Sequence, residues 1–180
     1  KMRLETDRLT IRPWQTADLP VFAEINADPE VRRFYYPAVL TRPQSDAVVE
    51  QCTQHLHDHG FAFLAVERRK DKALIGGAGL SWTNDVPGGS AVEIGWILGR
   101  AFWRQGYARE ASLAWFTHGW SIGLDKIVGY TSEINHPSRR LMTALGMSHD
   151  PASDFPDPTV PEGNPLRPHV LYHILSPARS

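Results

Sequence analysis

Apolar and polar positions alternate with a period of two in several short segments of the chain, as they do in half-buried β-strands. The clearest case is residues 91–99, where Val92, Ile94, Trp96 and Leu98 share one face. Composition and the intervening turn residues predict further strands, at residues 4–13, 61–67, 73–82, 126–132 and 169–175. We therefore expect a sheet built from short strands.

A helical period replaces the alternation after Gly106. Small or apolar residues recur there at spacings of three and four, namely Ala108, Ala111, Ser112, Trp115, Phe116, Gly119 and Ile122. A capping box formed by Thr41 and Gln44 predicts another helix, which we expect to end at Gly60. Shorter helices are predicted from an N-cap at Thr16, over residues 29–34, and over residues 137–145 before Gly146.

The elements follow one another as a strand, helices, a run of strands, and then a strand–helix–strand–helix series. That order predicts an α/β (α+β) fold, with a mixed sheet between helices, as one domain over residues 1–180. A proline-rich insertion at about residues 150–168 holds six prolines and precedes the last strand. We expect this insertion to form an ordered loop or a flap over the sheet.

Composition and charge narrow the classes of function. The 180 residues carry 19 basic and 20 acidic side chains, so a net charge of −1 gives no bulk attraction to nucleic acid or anionic membranes. No apolar run approaches the roughly 18 residues of a membrane span, and residues 1–10 are too charged for a signal peptide. Because Cys52 is the single cysteine, no intrachain disulfide can form. We expect a cytoplasmic protein that binds neither nucleic acid nor membrane.

The segment most indicative of chemistry joins the clearest strand to the longest apolar helix pattern, and it reads Arg100-Ala101-Phe102-Trp103-Arg104-Gln105-Gly106-Tyr107-Ala108. A loop that enters a helix directs free backbone N–H groups and the positive end of the helix dipole at one point. Gly106 leaves room for a close approach, and Arg100, Arg104 and Arg109 add positive charge. The loop predicts an anion site suited to a pyrophosphate; the alternative is a plain connection with a glycine at its bend.

This loop resembles the Gln/Arg-x-x-Gly-x-Gly/Ala signature of the GCN5-related N-acetyltransferase (GNAT) superfamily. Here it reads Trp103-Arg104-Gln105-Gly106-Tyr107-Ala108. Tryptophan at the first position is usual in the branch that acetylates protein N-termini, such as those of ribosomal proteins. Further blocks resemble that branch, at residues 4–12, 93–96, 108–111, 135–141 and 145–147. The resemblance thus spans the chain to about residue 149.

The resemblance implies a GNAT fold: a mixed, mostly antiparallel sheet of about seven strands, flanked by helices on both faces and splayed between its fourth and fifth strands. It also implies acetyl-CoA as co-substrate and no metal. The coenzyme pyrophosphate would bind the backbone of Arg104, Gln105, Gly106, Tyr107, Ala108 and Arg109. The pantetheine arm would bond to the open backbone at Ile97 and Leu98 and to the Asn135 side chain. Ser138 would protonate the departing thiolate, directly or through water.

Transfer to an amine needs a group that removes a proton, because most amines are protonated at pH 7. Glu93 is our candidate, since it lies beside the cofactor loop on the face opposite Val92 and Ile94. It could act directly, act through water, or hold the amine electrostatically; the alternative is a structural or surface hydrogen bond. Asn135 and Ser138 also have a structural alternative, as the cap and a first-turn residue of their helix.

Tyr35, Tyr36 and His169 are the candidate residues for binding the acceptor. By the resemblance, the two tyrosines lie in the loop that walls the acceptor groove, and the last strand borders the same groove. His173 shares a face of that strand with His169. Ordinary packing is the alternative for all four residues.

Two other features could be taken for chemical sites. Cys52 has no partner histidine at a useful spacing, so a half-buried thiol and direct transfer are favoured over an acyl-enzyme. His55, His57 and His59 alternate along a predicted helix, which turns neighbours to different faces and argues against a metal site.

Together these observations predict an enzyme that transfers an acetyl group from acetyl-CoA to a primary amine by direct attack in a ternary complex. The acceptor remains open, as a protein N-terminus or a small molecule, and so does a monomeric or homodimeric state. A non-catalytic acyl-CoA-binding sensor or regulatory module is the alternative function. A protein-interaction domain without a ligand would leave the glycine–arginine loop unexplained.

Overall fold

The computed structural model describes residues 2–179 and, within them, one mixed sheet between four helices. The helices are α1 (Asp18–Asn26), α2 (Arg42–His59), α3 (Tyr107–Ser121) and α4 (His136–Ala144). The strands are β1 (Leu4–Glu5), β2 (Leu9–Arg12), β3 (Phe63–Arg68), β4 (Leu74–Thr83), β5 (Ala91–Leu98), β6 (Lys126–Ser132), β7 (Ser148–His149), β8 (Phe155–Pro156) and β9 (Pro168–Leu175). The two ends of the predicted domain, Lys1 and Ser180, lie outside the described residues.

The strand order is β1-β2-β3-β4-β5-β6-β9-β7, and β8 also pairs with β9. Each pairing is antiparallel except that between β5 and β6. The predicted mixed, mostly antiparallel sheet is thus confirmed. It has nine strands within residues 2–179, because the predicted first strand folds into a β1–β2 hairpin and the short strands β7 and β8 add to β9.

Opposite faces of the sheet are covered by different helices. On one face α3 buries Trp115 completely, and its indole donates a 3.0 Å hydrogen bond to the Ala78 carbonyl of β4. On the other face α1 and α2 pack Phe22 and Val49 into a second cluster against Ala65 of β3. Both faces of the sheet are therefore buried where its long central strands lie.

The sequence predicted α2 accurately at both ends. The Thr41 hydroxyl accepts from the Gln44 backbone N–H and the Gln44 side chain accepts from the Thr41 N–H, which completes the capping box. At the other end Gly60 adopts the left-handed conformation, with φ of 80°.

The N-cap of α1 and one short helix were predicted wrongly. The N-cap of α1 is Ala17 rather than Thr16, and the carboxylate of Asp18 receives the local hydrogen bond, from the Gln15 N–H. Residues 29–34 form turns instead of a helix. The chain reverses there toward Pro37, whose carbonyl accepts two hydrogen bonds from the Arg32 guanidinium.

The insertion at residues 150–168 runs along the outer edge of β9. It contains a 3₁₀ turn at Pro151–Ser153 and strand β8, and Val160 anchors it with only 3% of its surface exposed. The Arg167 guanidinium donates a 2.6 Å hydrogen bond to the Val160 carbonyl and closes the loop. Across the described part of the chain, none of the helices combines the length and apolar character needed to cross a bilayer.

A buried ion-pair network attaches α1 to the sheet. The Arg12 guanidinium of β2 lies 2.7 Å from the Asp18 carboxylate of α1 and 3.1 Å from the Glu67 carboxylate of β3. The Arg12 side chain is only 7% exposed, so its charge depends on these two partners. The hydrogen bond to Asp18 is the main reason why the pKa of Arg12 is raised above its usual value.

We expect Asp18→Asn to lower the free energy of unfolding by about 3 kcal/mol, because the buried guanidinium loses one of its two charged partners. Urea unfolding measures this loss. Asp46→Asn is the matched control, because Asp46 pairs with Arg42 on the exposed surface of α2, and it should cost no more than about 0.5 kcal/mol. Equal losses in the two variants would show that burial adds nothing to the Arg12 network.

Candidate active site

The site is created where β5 and β6 separate. The two parallel strands share a single registered pair, Glu93 with Val128, within the described residues. β5 is fully paired with β4 on its other edge, and β6 with β9. Beyond Glu93 the facing edges diverge, so their backbone N–H and C=O groups are open to a ligand. This is the splay that the family resemblance implied between the fourth and fifth strands. Those strands are β5 and β6 here, because the predicted first strand is the β1–β2 hairpin.

A groove of about 540 Å³ opens along this separation. It brings together most of the predicted site residues, namely Tyr35, Ile97, Leu98, Arg104, Gly106, Tyr107, Ala108, Arg109, Asn135 and Ser138. Glu93, Gln105, Tyr36 and His169 are not among its lining residues.

Residues 103–109, which we call the anion loop, enter α3 through two left-handed residues. Arg104 has φ of 60° and Gly106 has φ of 80°, and α3 begins at Tyr107. The first amides of a helix have no intrahelical acceptor, so those of Tyr107 to Arg109 are available at the groove. Left-handed residues beside a helix start form a concave set of N–H donors that suits an anion.

Four arginines line the groove and make it electropositive: Arg33, Arg104, Arg109 and Arg140. The sequence had also assigned Arg100 to the anion, and this was wrong. The Arg100 guanidinium makes two hydrogen bonds of 2.9 Å to the Asp28 carboxylate, in the connection after α1. Its charge is neutralised there, and it attaches that connection to the end of β5.

Arg8 of the β1–β2 hairpin holds the anion loop in place, a role that the sequence analysis missed. Its guanidinium donates to the Glu110 carboxylate at 2.7 Å and to the Gln105 carbonyl at 2.8 Å. The same group lies 4.3 Å from the centre of the Tyr107 ring. Burial alone would raise the pKa of Glu110, but hydrogen bonds from Thr6 and Arg8 hold it below its usual range. Arg8 and Glu110 both lie in the blocks that carried the family resemblance, which was the available signal.

Two aromatic residues complete the support of the loop. The Arg68 guanidinium lies over the Phe102 ring, 5.2 Å from the centre of that ring. The Trp103 indole donates a 2.9 Å hydrogen bond to the Leu98 carbonyl at the end of β5. That carbonyl is therefore occupied. A Cβ added at Gly76 would lie 2.0 Å from the Ile97 carbonyl oxygen, so the backbone of Ile97 faces β4. Because backbone groups alternate along a strand, it is the Leu98 N–H that faces the groove.

Asn135 and Ser138 lie at the start of α4, on the β6 side of the groove. The Asn135 side chain caps the helix by accepting from the Ser138 N–H at 3.3 Å, and it donates to the Thr131 hydroxyl at 2.8 Å. The structural role that we considered for Asn135 is therefore present. One amide hydrogen and further lone-pair capacity remain for a ligand. The half-buried Ser138 lines the groove.

Glu93 has the environment of a proton acceptor. It lies on β5 at the point of separation and is half-buried. Burial raises the pKa of Glu93 to about 7, a hydrogen bond with Tyr130 opposes the rise, and the charge of Asp85 adds to it. A carboxyl group that titrates near neutral pH can both take up and release protons under physiological conditions.

The predicted acceptor residues separate in the structure. Tyr35 lines the groove, and burial, with a further contribution from the charge of Glu93, raises its pKa. Tyr36 is 47% exposed and is not among the residues that line the groove. His169 instead lies under the insertion, 5.6 Å from the Phe155 ring and 3.6 Å from the Asp157 carboxylate.

Neither rejected site gains support from the structure. Burial raises the pKa of the Cys52 thiol to about 12, so it stays protonated and is a poor nucleophile at pH 7. The His55 imidazole is bonded to the Phe61 carbonyl and the Trp82 N–H. Among residues 2–179 no three His, Cys, Asp or Glu side chains are grouped to hold a metal ion.

Comparison with known proteins shows the family of the chain. A family model for the acetyltransferase (GNAT) domain matches residues 8–148. YnaD of Bacillus subtilis, described as an uncharacterized N-acetyltransferase, is 28% identical over 175 residues, which cover 97% of each chain. A GNAT-family acetyltransferase structure from Bacillus anthracis is 24% identical, with a TM-score of 0.79 over 97% of this chain and 99% of that one. An acetyltransferase from Agrobacterium tumefaciens is 26% identical, with a TM-score of 0.77 over 97% and 94% of the two chains.

We expect Arg8→Met to raise the hydrogen-exchange rates of the amides of the anion loop about tenfold, because two charge-assisted hydrogen bonds are lost. Exchange read by NMR on the ligand-free protein measures this change. Arg3→Met is the matched control, since Arg3 pairs only with the exposed Glu5 on the same hairpin, and it should leave the loop rates unchanged. Equal exchange in the two variants would mean that Arg8 does not organise the loop.

The pKa of Glu93 also makes a prediction about stability. Since it rises from 4.5 to about 7 on folding, the native protein binds more protons than the unfolded chain between these values. Stability therefore falls as pH rises through this window. The wild type should lose this stability between pH 5 and pH 8, whereas Glu93→Gln should not. The unfolding free energy of the variant minus that of the wild type should therefore increase by about 2 kcal/mol from pH 5 to pH 8.

Urea unfolding at the two pH values tests the stability prediction. Glu50→Gln, on the exposed side of α2, is the control for the same chemical change, and its difference from wild type should be the same at both values. A Glu93→Gln variant that behaved in this way too would show that Glu93 is not desolvated in the fold.

Proposed function

Because the chain belongs to the acetyltransferase (GNAT) domain family, we propose that it transfers an acetyl group from acetyl-CoA to a primary amine by direct attack within a ternary complex. The observation that carries the proposal is that one groove joins three features. These are the anion loop at one end, the open edge of β5 along its length, and Ser138 on the facing helix.

The residues of the groove fit the parts of coenzyme A. The N–H groups and arginines of the anion loop suit the pyrophosphate, and a side chain at Gly106 would reduce the space at its centre. The open backbone edge of β5 beyond Glu93 suits the amides of the pantetheine arm, and Asn135 has hydrogen-bonding capacity left for the same arm. When bound, acetyl-CoA would supply the thioester carbonyl that an amine attacks.

Glu93 is the group that we assign to proton removal from the acceptor. An ammonium ion has no lone pair, so its proton must leave before or during the attack. With a pKa of about 7, Glu93 is ionised in a large fraction of molecules at neutral pH and can accept that proton, directly or through a water molecule. While ionised, it also attracts a cationic amine toward the site.

Ser138 is assigned to the departing sulfur. Its hydroxyl can donate a hydrogen bond to a thiolate, or pass a proton to it from water, as the carbon–sulfur bond breaks. The raised pKa of the Cys52 thiol disfavours an acyl-enzyme, which supports direct transfer between the two bound substrates.

The acceptor is a primary amine on a protein N-terminus or a small molecule. The Trp103 variant of the signature favours the branch that acts on protein N-termini, and Tyr35 is the best-placed residue to contact the acceptor. His169 and Tyr36 would contact only an acceptor that extends beyond the groove. Phe155 and Asp157 of the insertion at residues 150–168 lie against His169, so the acceptor can differ from that of a ribosomal-protein enzyme.

A thiol-release assay with acetyl-CoA and a panel of amines and N-terminal peptides tests the proposal. We expect acceptor-dependent release of coenzyme A, with kcat/KM falling as the pH drops through about 7. Glu93→Gln should lower kcat/KM about 100-fold and abolish that acid limb. Gly106→Glu should abolish coenzyme A binding, because it puts bulk and negative charge at the centre of the anion loop.

Gly123→Glu is the matched control for the loop variant. Gly123 also has a left-handed φ, of 93°, and an added Cβ there meets no atom within 4 Å. It should retain coenzyme A binding and turnover. Binding without turnover on any acceptor would favour the sensor or regulatory module. The absence of binding in the wild type would refute our interpretation of the anion loop.

A further inference from the structure

The side chain of Tyr130 extends from β6 across β5, near the point where these two strands separate. It lies on β6, two residues after Val128, the registered partner of Glu93. Its hydroxyl is 3.2 Å from the hydroxyl of Thr83 on β4, and β4 and β6 are the two neighbours of β5. The phenol ring must therefore lie over β5, on the face from which Glu93 projects, because residues two apart share a face.

The hydrogen bonds around Tyr130 have a consistent direction. The Asp85 N–H donates to the Thr83 hydroxyl at 3.1 Å. Thr83 and Glu93 lie on the same face of neighbouring strands, so the Tyr130 hydroxyl that reaches Thr83 passes beside the Glu93 carboxyl, and it lowers the pKa of that group. An ionised carboxylate can only accept, so Tyr130 is the donor toward Glu93. Thr83 can then donate to Tyr130, and the chain of donors from the β4–β5 loop ends on the carboxylate.

Apolar side chains exclude water from one side of this hydrogen-bond network. Val86, Val128 and Leu171 form a buried cluster, against which Tyr130 and Phe155 of the insertion are packed. The Phe155 ring lies 5.8 Å from the Tyr130 ring. A hydrogen bond in such a poorly hydrated place is harder for water to replace than one at the surface.

We propose that Tyr130 is a positioning residue for Glu93: its hydroxyl, held by Thr83, fixes the carboxylate at the separation of the two strands in the orientation that accepts the proton of the amine. This inference rests on the proposed function, in which Glu93 takes that proton. Tyr130 itself does not exchange protons with the substrates. By binding the ionised form, it also brings the titration of Glu93 down toward neutral pH.

Other titratable groups face the same carboxyl and must be held constant in a test. Asp85 approaches from the β4–β5 loop and Tyr35 from the loop before α2. Farther along the sheet, the His169 ring lies 6.5 Å from the Tyr130 ring and is paired with Asp157. The variants below leave all four of these groups unchanged.

The experiment is a pH titration of the Glu93 carboxyl carbon by NMR, in protein labelled with ¹³C-glutamate and without substrates. The resonance that is missing in Glu93→Gln identifies the residue. We expect Tyr130→Phe to move the titration midpoint upward by about one pH unit, since the hydrogen bond to the ionised form is lost. Thr83→Val should produce a smaller shift in the same direction, and it keeps the test available if the phenylalanine variant does not fold.

Tyr172→Phe is the matched control. Tyr172 is a buried tyrosine of β9 whose hydroxyl is bonded to Arg139, away from Glu93. It should leave the midpoint of Glu93 unchanged. An unchanged midpoint in both Tyr130→Phe and Thr83→Val would overturn the proposal.

The acid limb of kcat/KM distinguishes this inference from the proposed function. In Tyr130→Phe the limb should move upward by the same amount as the NMR midpoint. A shifted midpoint with an unshifted limb would overturn the positioning role, although the hydrogen bond exists. If the wild type shows no turnover with any amine, or Glu93→Gln keeps the acid limb, the proposed function fails, whereas the titration still reports whether Tyr130 binds the carboxylate.

Discussion

The separation of β5 from β6 is the constraint on which the rest of the structure depends. Parallel neighbours need a crossover between them, and α3 supplies it by leaving the end of β5 and returning the chain to β6. Because only one residue pair is in register, the crossover starts from a strand end that is already free of its neighbour. The helix start, the open strand edge and the α4 cap are thereby directed into one groove.

An open edge of this kind has a thermodynamic cost, and the arrangement around the anion loop shows how it is offset. Arg8 holds the loop through its salt bridge to Glu110, and Arg68 packs on Phe102 just before the loop. Trp103, at the start of the loop, is bonded to the end of β5. The positive-φ conformation of Arg104 is tolerated because both neighbours of the loop are fixed. The backbone donors are consequently ordered in advance, so that less entropy is lost when an anion binds.

Much of this organisation was predictable from the sequence, and the misses share a physical cause. Local signals determined what could be predicted: the alternation in β5, the capping box of α2 and the glycine at the start of α3. Arg100 was misassigned because its partner, Asp28, lies 72 residues away along the chain. Arg8 and Tyr130 were missed for the same reason, since their roles come from strands that meet only in the folded sheet. The helix predicted over residues 29–34 is a series of turns, in which the Arg32 guanidinium bonds to the Pro37 carbonyl.

The outer edge of β9 has a consequence for assembly. Between Pro168 and His173 it is covered by the chain's own backbone: by β8 at one end, by β7 at the other, and between them by a hydrogen bond from the Asp150 N–H to the Leu171 carbonyl. The covering strands are two residues long, and one ends in proline, which blocks further ladder growth. A second copy cannot join its sheet to this edge unless the insertion first moves away. A homodimer that meets at this edge with the insertion in place must therefore be held together by side chains, so the insertion also determines how two copies can meet there.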